Sequence, residues 1–115
     1  MTLEQREHER FATYCGSVVN IHGKHAYSTI TNVSNEGIAF ICSPELLCGD
    51  KVEVSFDLQQ GTKKSTYSII VEIVRCVKDD FEYFVGAKVQ QVTNEFQKFV
   101  EQAKHAFHKP VQSSL

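Results

Sequence analysis

Arg6 and Arg10 stand four positions apart in the opening segment, with Glu4, Glu7 and Glu9 around them. On a helix they would be like charges sharing one face, slightly unfavourable, so helix stability does not call for them. Two arginines against three glutamates also leave the segment net acidic, which makes diffuse attraction to nucleic acid a poor account of it. A guanidinium offers shape instead. Its planar fork grips phosphate, or the O6/N7 edge of guanine, bidentately and can stack on a base. At a spacing of four, two forks can converge on one ligand if the segment bends around it. The competing reading is an exposed, salt-bridged arm.

A second constellation is "NVSNEG", Asn32 to Gly37. Asn32 offers both a donor and an acceptor, and Ser34 carries a hydroxyl that can do either. Gly37 allows a positive φ or a close approach of the backbone to a ligand. Here the competing reading is a hairpin corner whose Asn and Ser side chains bond their own backbone.

These side chains need a scaffold. Its 115 residues are enough for one domain that buries its own core. The composition, 42% hydrophobic and 23% charged, is that of an ordinary soluble globule, and the net charge of -2 does not suit a general polyanion binder. A polar, acidic start and no apolar run of membrane-spanning length predict a cytoplasmic protein without membrane insertion.

Beyond the first ten residues the sequence alternates with period 2. Val52, Val54, Phe56 and Leu58 share one parity, as do Tyr67, Ile69, Val71 and Ile73, and then Tyr83, Val85, Ala87 and Val89. With "YCGSVVNIHG", "AYSTITNV" and "GIAFICS" this predicts six strands. The short links "HGKH", "SNEG", "QQGTKKS" and "KDDFE" favour hairpins, and six strands that must hide their edges curl into a small antiparallel β-barrel. Near the end Phe96, Phe99, Val100, Ala103 and Phe107 follow helical spacing, predicting a C-terminal α-helix over about 93–108. Thr93 or Asn94 caps it, His105, His108 and Lys109 complement its dipole, and Pro110 stops it. The expected organisation is an arm over 1–10, barrel and helix over 11–109, and a tail over 110–115.

Other chemistry finds little support. His22-x-x-His25 and His105-x-x-His108 lack a carboxylate or cysteine to complete a metal site, and Asp79-Asp80 sits in a turn. Cys15, Cys42 and Cys76 lie in apolar runs and read as small reduced hydrophobes, while Cys48 has no cation beside it to make a reactive thiolate. Most aromatics fall on buried parities, which argues against a single-strand-binding barrel. The expectation is no enzyme, no metal or cofactor, and no nucleic-acid partner.

Taken together, R-x-x-x-R before a small all-β domain, then N-x-S-x-x-G at its second strand, resembles the PilZ domain family, and Phe11 directly after the second arginine fits as well. "EIVRCVKDDFEYFVGAKV" is similar to that family's closing hairpin, with Arg75 and Gly86 in matching places. The resemblance covers nearly the whole chain. It implies a PilZ-like split barrel, six-stranded and mainly β, that binds the bacterial second messenger cyclic di-GMP. Arg6 and Arg10 would contact phosphate and guanine, Asn32 and Ser34 a guanine edge, and Gly37 would let backbone and base approach, with Gln5 and Arg75 as secondary contacts. Gln5 stands where many members carry another arginine. The first ten residues carry little apolar anchoring beyond Leu3, so the free arm is expected to be mobile and to fold over the barrel on binding. Such a monomer or weak dimer would signal to a downstream protein in motility or biofilm regulation. The alternative is a PilZ-like interaction module that binds no nucleotide.

Overall fold

The computed structural model describes residues 9–113, with side chains through residue 106. Six strands precede one helix: β1 Phe11–Ile21, β2 Lys24–Val33, β3 Gly37–Cys42, β4 Lys51–Gln60, β5 Lys63–Asp79, β6 Glu82–Val89 and α1 Asn94–Ser113. The strands close into a barrel in the order β1-β2-β3-β6-β5-β4, every neighbouring pair antiparallel. The expected fold class is therefore observed.

Turn chemistry sets the hairpins. His22 and Gly23 both take positive φ (52° and 86°), the backbone that a two-residue type I′ turn requires between β1 and β2. Gly61 (φ 65°) opens the link from β4 to β5, and Asp80 (φ 56°) the link from β5 to β6. The chain from β3 to β4 joins strands on opposite sides of the ring, so it crosses a barrel end, and its Leu46 is buried with the core.

The core is the predicted inward parity. Val52, Val54, Phe56 and Leu58 of β4, Ile69, Val71 and Ile73 of β5, and Val85, Ala87 and Val89 of β6 are all buried. Closure is thin where β1 meets β4, with only Val19 opposite Val54 and Asn20 opposite Glu53 in register. Two serines extend that seam. The Ser17 hydroxyl donates to the Ser55 carbonyl, and the Ser55 hydroxyl accepts from the Val18 amide at 3.0 Å.

Thr93 caps α1, its hydroxyl accepting from the Phe96 amide at 3.1 Å and its carbonyl from the Gln97 amide at 3.0 Å. The stripe Phe96, Phe99, Val100 and Ala103 is buried, and Phe56 meets Phe99 at 4.9 Å and Phe96 edge-on at 6.1 Å between ring centroids. Gln102 satisfies the end of β4, its amide donating to the Gln59 carbonyl at 2.5 Å and its carbonyl accepting from the Gln59 amide. Lys104 lies 5.8 Å from the Phe11 ring centroid, so the helix also covers the start of β1.

The helix ends later than its sequence predicts. It continues through Pro110 to Ser113, not stopping near 108, and the expected tail from 110 is mostly helical backbone. Proline removes one amide donor, and so close to the C-terminus that loss interrupts the ladder only once. One consequence is that His105, His108 and Lys109 fall short of the last turn, which holds no basic residue. Among the described residues no helix is long and apolar enough to cross a membrane.

Candidate functional site

The site begins where β1 starts and β2 turns into β3. The Arg10 guanidinium donates to the Asn32 side-chain carbonyl at 2.6 Å, across 22 residues of sequence. The other face of that amide donates to the Thr31 hydroxyl at 3.5 Å, so Asn32 presents its oxygen to the arginine. Ser34 is buried, and its amide donates to the Gly37 carbonyl at 2.9 Å, closing the turn. Gly37 has no positive φ, and its role is space. A Cβ there would come within 3.1 Å of the Ser34 hydroxyl and 3.3 Å of an Arg10 nitrogen. The positive φ that sequence allows for this glycine is not used, and the space it leaves is bordered by Ser34 and Arg10.

From this corner a groove of ≈ 810 Å³ runs along the outer wall of the barrel. The strand registers define its floor. Ala12 of β1 lies opposite Asn32 of β2, Asn32 opposite Ala39 of β3, Ala39 opposite Gly86 of β6, and Gly86 opposite Arg75 of β5. Thus small residues occupy the middle of a five-strand row that ends on Arg75, while Arg10 reaches its other end through Asn32. Beside it a second row, Ile41, Phe84 and Val77, stands taller and apolar. A barrel wall is convex outside, so a depression there needs such a row of missing side chains.

Three β-bulges border that floor, between Ala12 and Cys15, Ile30 and Asn32, and Ile73 and Arg75. Strict alternation from Ile30 and Ile73, both buried, would turn Asn32 and Arg75 into the core. One extra residue in each strand, Thr31 and Val74, turns both outward instead. Bulges of this kind re-aim side chains and are enriched beside functional sites.

The electrostatics follow from the lining. Arg10 and Arg75 face the groove and, among the described residues, none that lines it is a carboxylate, so this wall is locally cationic in a chain of net charge -2. Such a groove suits an anion with flat apolar parts: two forks for charge, and Ala39, Gly86 and Phe84 for rings. A smaller hollow of ≈ 330 Å³ on the β1–β4–β5 side gathers none of the predicted site residues, and there Ser68 donates to Glu53 at 2.9 Å.

Of the predicted site residues, the structure brings together Arg10, Asn32, Ser34 and Gly37, and Arg75 lies across the groove from them. Arg6, Gln5 and most of the predicted arm lie outside the described residues. Sequence reasoning missed Tyr14, Thr31, Ala39, Val77 and Phe84. A signal for three of them exists: Tyr14, Val77 and Phe84 are apolar residues left exposed on the outside of strands (78%, 47% and 46%). The expectation that aromatics are mostly inward holds for Phe11, Phe40, Phe56, Phe96 and Phe99, but Tyr14, Tyr27, Phe81 and Phe84 are exposed.

Remaining chemistry lies elsewhere. His22 serves the β1–β2 turn, and His105 sits 3.8 Å from Glu101 on the helix. Burial raises the Cys42 thiol to about 11 and also raises that of Cys15, so both stay protonated near neutral pH, while Cys48 is exposed. Among the described residues no three metal-ligating side chains gather.

Comparison with curated protein sequences gave no match. Solved structures share the fold at low identity. The PilZ domain of YcgR from Escherichia coli, solved with c-di-GMP, superposes with a TM-score of 0.73 at 9% identity over 96% of this chain and 99% of that one. The Bacillus subtilis inhibitor of motility MotI/DgrA gives 0.75 at 11% identity over 90% of this chain. PlzA of Borreliella burgdorferi, in complex with c-di-GMP, gives 0.63 at 8% identity over 96% of this chain. This chain spans about half of the latter two, 51% and 54% of their lengths. The family model for the PilZ domain matches residues 4–102, a span that takes in R-x-x-x-R, the Asn32–Gly37 corner, all six strands and the buried stripe of α1 as far as Val100. A match of that extent, on a barrel of this shape, makes the chain a member of the PilZ domain family.

Proposed function

We propose that this protein is a cyclic di-GMP receptor, a binding and effector module of the cytoplasm and not an enzyme. The observation that carries the reading is the Arg10–Asn32 pair, held at 2.6 Å beside Ser34 and Gly37 at one end of a groove that, among the described residues, is lined by two arginines and no carboxylate. Guanine presents O6 and N7 acceptors on one edge, which a guanidinium fork matches, and N–H donors on another, which suit the Asn32 and Ser34 oxygens. The Arg10–Asn32 bond orients both groups before ligand arrives, so less ordering is needed on binding. Arg6 supplies a second fork four residues earlier, and the segment bearing it closes over the groove with the ligand. That closure creates a new surface for a downstream protein. Two PilZ proteins of the same fold, YcgR and PlzA, were solved with this ligand, which supports the reading.

Micromolar binding requires about 8 kcal/mol, and charge-assisted contacts are the strongest available here. Isothermal titration of cyclic di-GMP should show saturable binding that weakens at least tenfold in Arg10→Ala and in Ser34→Ala. Equal affinity in wild type and both variants would remove the assignment. No binding at all would leave the interaction-module alternative.

A further inference from the structure

The β5–β6 hairpin reaches past its neighbour β4. Pairing of β4 with β5 ends at Lys51 opposite Glu72. The loop before β4 adds one more step: the Gly49 amide donates to the Ile73 carbonyl at 2.7 Å, and the Ile73 amide to the Asp50 carbonyl at 2.8 Å. From Val74 to Asp79, β5 has β6 on one side and, among the described residues, no strand on the other. Asp79 and Glu82 flank the turn Asp80–Phe81 and so exchange backbone bonds, as do Val77 and Phe84 further in. By alternation the amides and carbonyls of Cys76 and Lys78 point the other way, into the open column. An edge of this kind is a template for a further strand.

Its side chains say which strand fits. Arg75, Val77 and Asp79 share the outer parity of β5. Asp79 lies directly opposite Glu82, an unfavourable like-charge pair, and neither carboxylate nor Arg75 has an ion-pair partner among the described residues. Three apolar side chains around the edge are exposed: Leu47 in the loop at 62%, Val74 at 57% and Phe81 at the tip at 92%.

We propose that a second copy of this chain supplies the missing strand, the two β5 edges pairing antiparallel about a twofold axis at Val77. Val77 then faces Val77, Cys76 and Lys78 of each copy exchange backbone bonds with Lys78 and Cys76 of the other, and each Arg75 lies opposite the other copy's Asp79. This register answers the charges. Moving the axis to Cys76 or to Lys78 sets Arg75 against Val77 or Phe81 instead. The lengths match as well: each hairpin ends at Asp80 and Phe81, where the loop and β4 of the other copy begin, so it fills the vacant column. Phe81 thereby arrives beside Val74 and Leu47 of the other copy, and the apolar side chains leave water together. A contact of a few strand residues from each side is small and gives a weak, reversible dimer. Arg75 also lines the groove, so the test is made without nucleotide and is independent of the ligand reading.

Sedimentation equilibrium of the full chain under reducing conditions should show a monomer–dimer equilibrium. Asp79→Arg sets arginine against arginine at both ends of the ladder and should weaken the dimer about tenfold. Reversing both charges, Arg75→Asp with Asp79→Arg, should restore it, a rescue that mere damage to the hairpin would not give. Val77 meets its counterpart as a non-hydrogen-bonded pair, about 4.5 Å between Cα atoms, which suits a disulfide. Val77→Cys in a Cys48→Ser background should therefore cross-link under diamide where the background alone does not, and circular dichroism on every variant reports the fold. The proposal is overturned by a wild type that stays monomeric up to about 1 mM. A dimer equally tight in Asp79→Arg, or a folded Val77→Cys that does not cross-link, overturns it too.

Discussion

Gly37 shows how closely the site is built at the scale of single residues. Its absent Cβ leaves room for the Ser34 hydroxyl, an Arg10 nitrogen and the Ala87 carbonyl, which would lie at 3.1, 3.3 and 3.5 Å. The carbonyl belongs to the β3–β6 ladder and cannot move freely, and Ser34 is buried; Arg10 is the exposed, flexible partner of the three. Gly37→Ala should therefore displace the arginine first and break its bond to Asn32. The barrel should lose about 1 kcal/mol, a typical single-residue effect, while cyclic di-GMP affinity falls tenfold or more. Urea unfolding and calorimetry on the same variant check both halves. A large stability loss with intact affinity would show that the glycine serves the turn and not the arginine. The motif spacing pointed to this glycine, and only the packing shows that space, not φ, is what it provides.

At the scale of elements, period-2 patterning read β4, β5 and β6, β-branched and aromatic composition read β1 to β3, and helical spacing read the buried stripe of α1, because one buried face imposes its period directly on the sequence. It could not read the bulges. In β5 the alternation through Ile69, Val71 and Ile73 points Arg75 inward, and Val74 looks like one more apolar strand residue. In the fold Val74 is the inserted residue, 57% exposed, while Ile73 lies opposite Ala87 and Arg75 opposite Gly86. Deleting Val74 should accordingly leave every remaining side chain on its own face and regularise the ladder. Ile70 is similarly exposed at 45% but sits in regular register opposite Glu53, so deleting it must slip one part of β5 and turn apolar residues outward. The Val74 deletion should fold with a cooperative thermal transition and weakened ligand binding, since the extra twist that aims Arg75 is gone. The Ile70 deletion should not fold, as circular dichroism and solubility will report. The helix end was misjudged for a related reason: Pro110 is a strong stop signal locally, but a single missing donor near a terminus does not prevent further turns.

At the scale of the whole molecule, the groove belongs to no single hairpin. Its floor draws on β1, β2, β3, β6 and β5, and the ring closes through the short β1–β4 seam, where serine hydroxyls supplement two register pairs. A partly unfolded chain would lack the floor, one arginine or both, so a ligand of this groove binds the closed barrel and not its fragments. Binding must then appear as global stability. With free cyclic di-GMP at about 100 times its dissociation constant, linkage gives about 2.7 kcal/mol of added stability. For a domain of this size that corresponds to roughly 10 °C in melting temperature. The shift should grow with the logarithm of ligand concentration and move secondary- and tertiary-structure signals together. A tenfold weaker Arg10→Ala variant at the same concentration keeps about half of it, near 1.4 kcal/mol. Differential scanning calorimetry across a ligand series measures this. If the ligand binds by titration yet leaves the transition in place, it contacts the arm alone, and a groove spanning five strands is not its site.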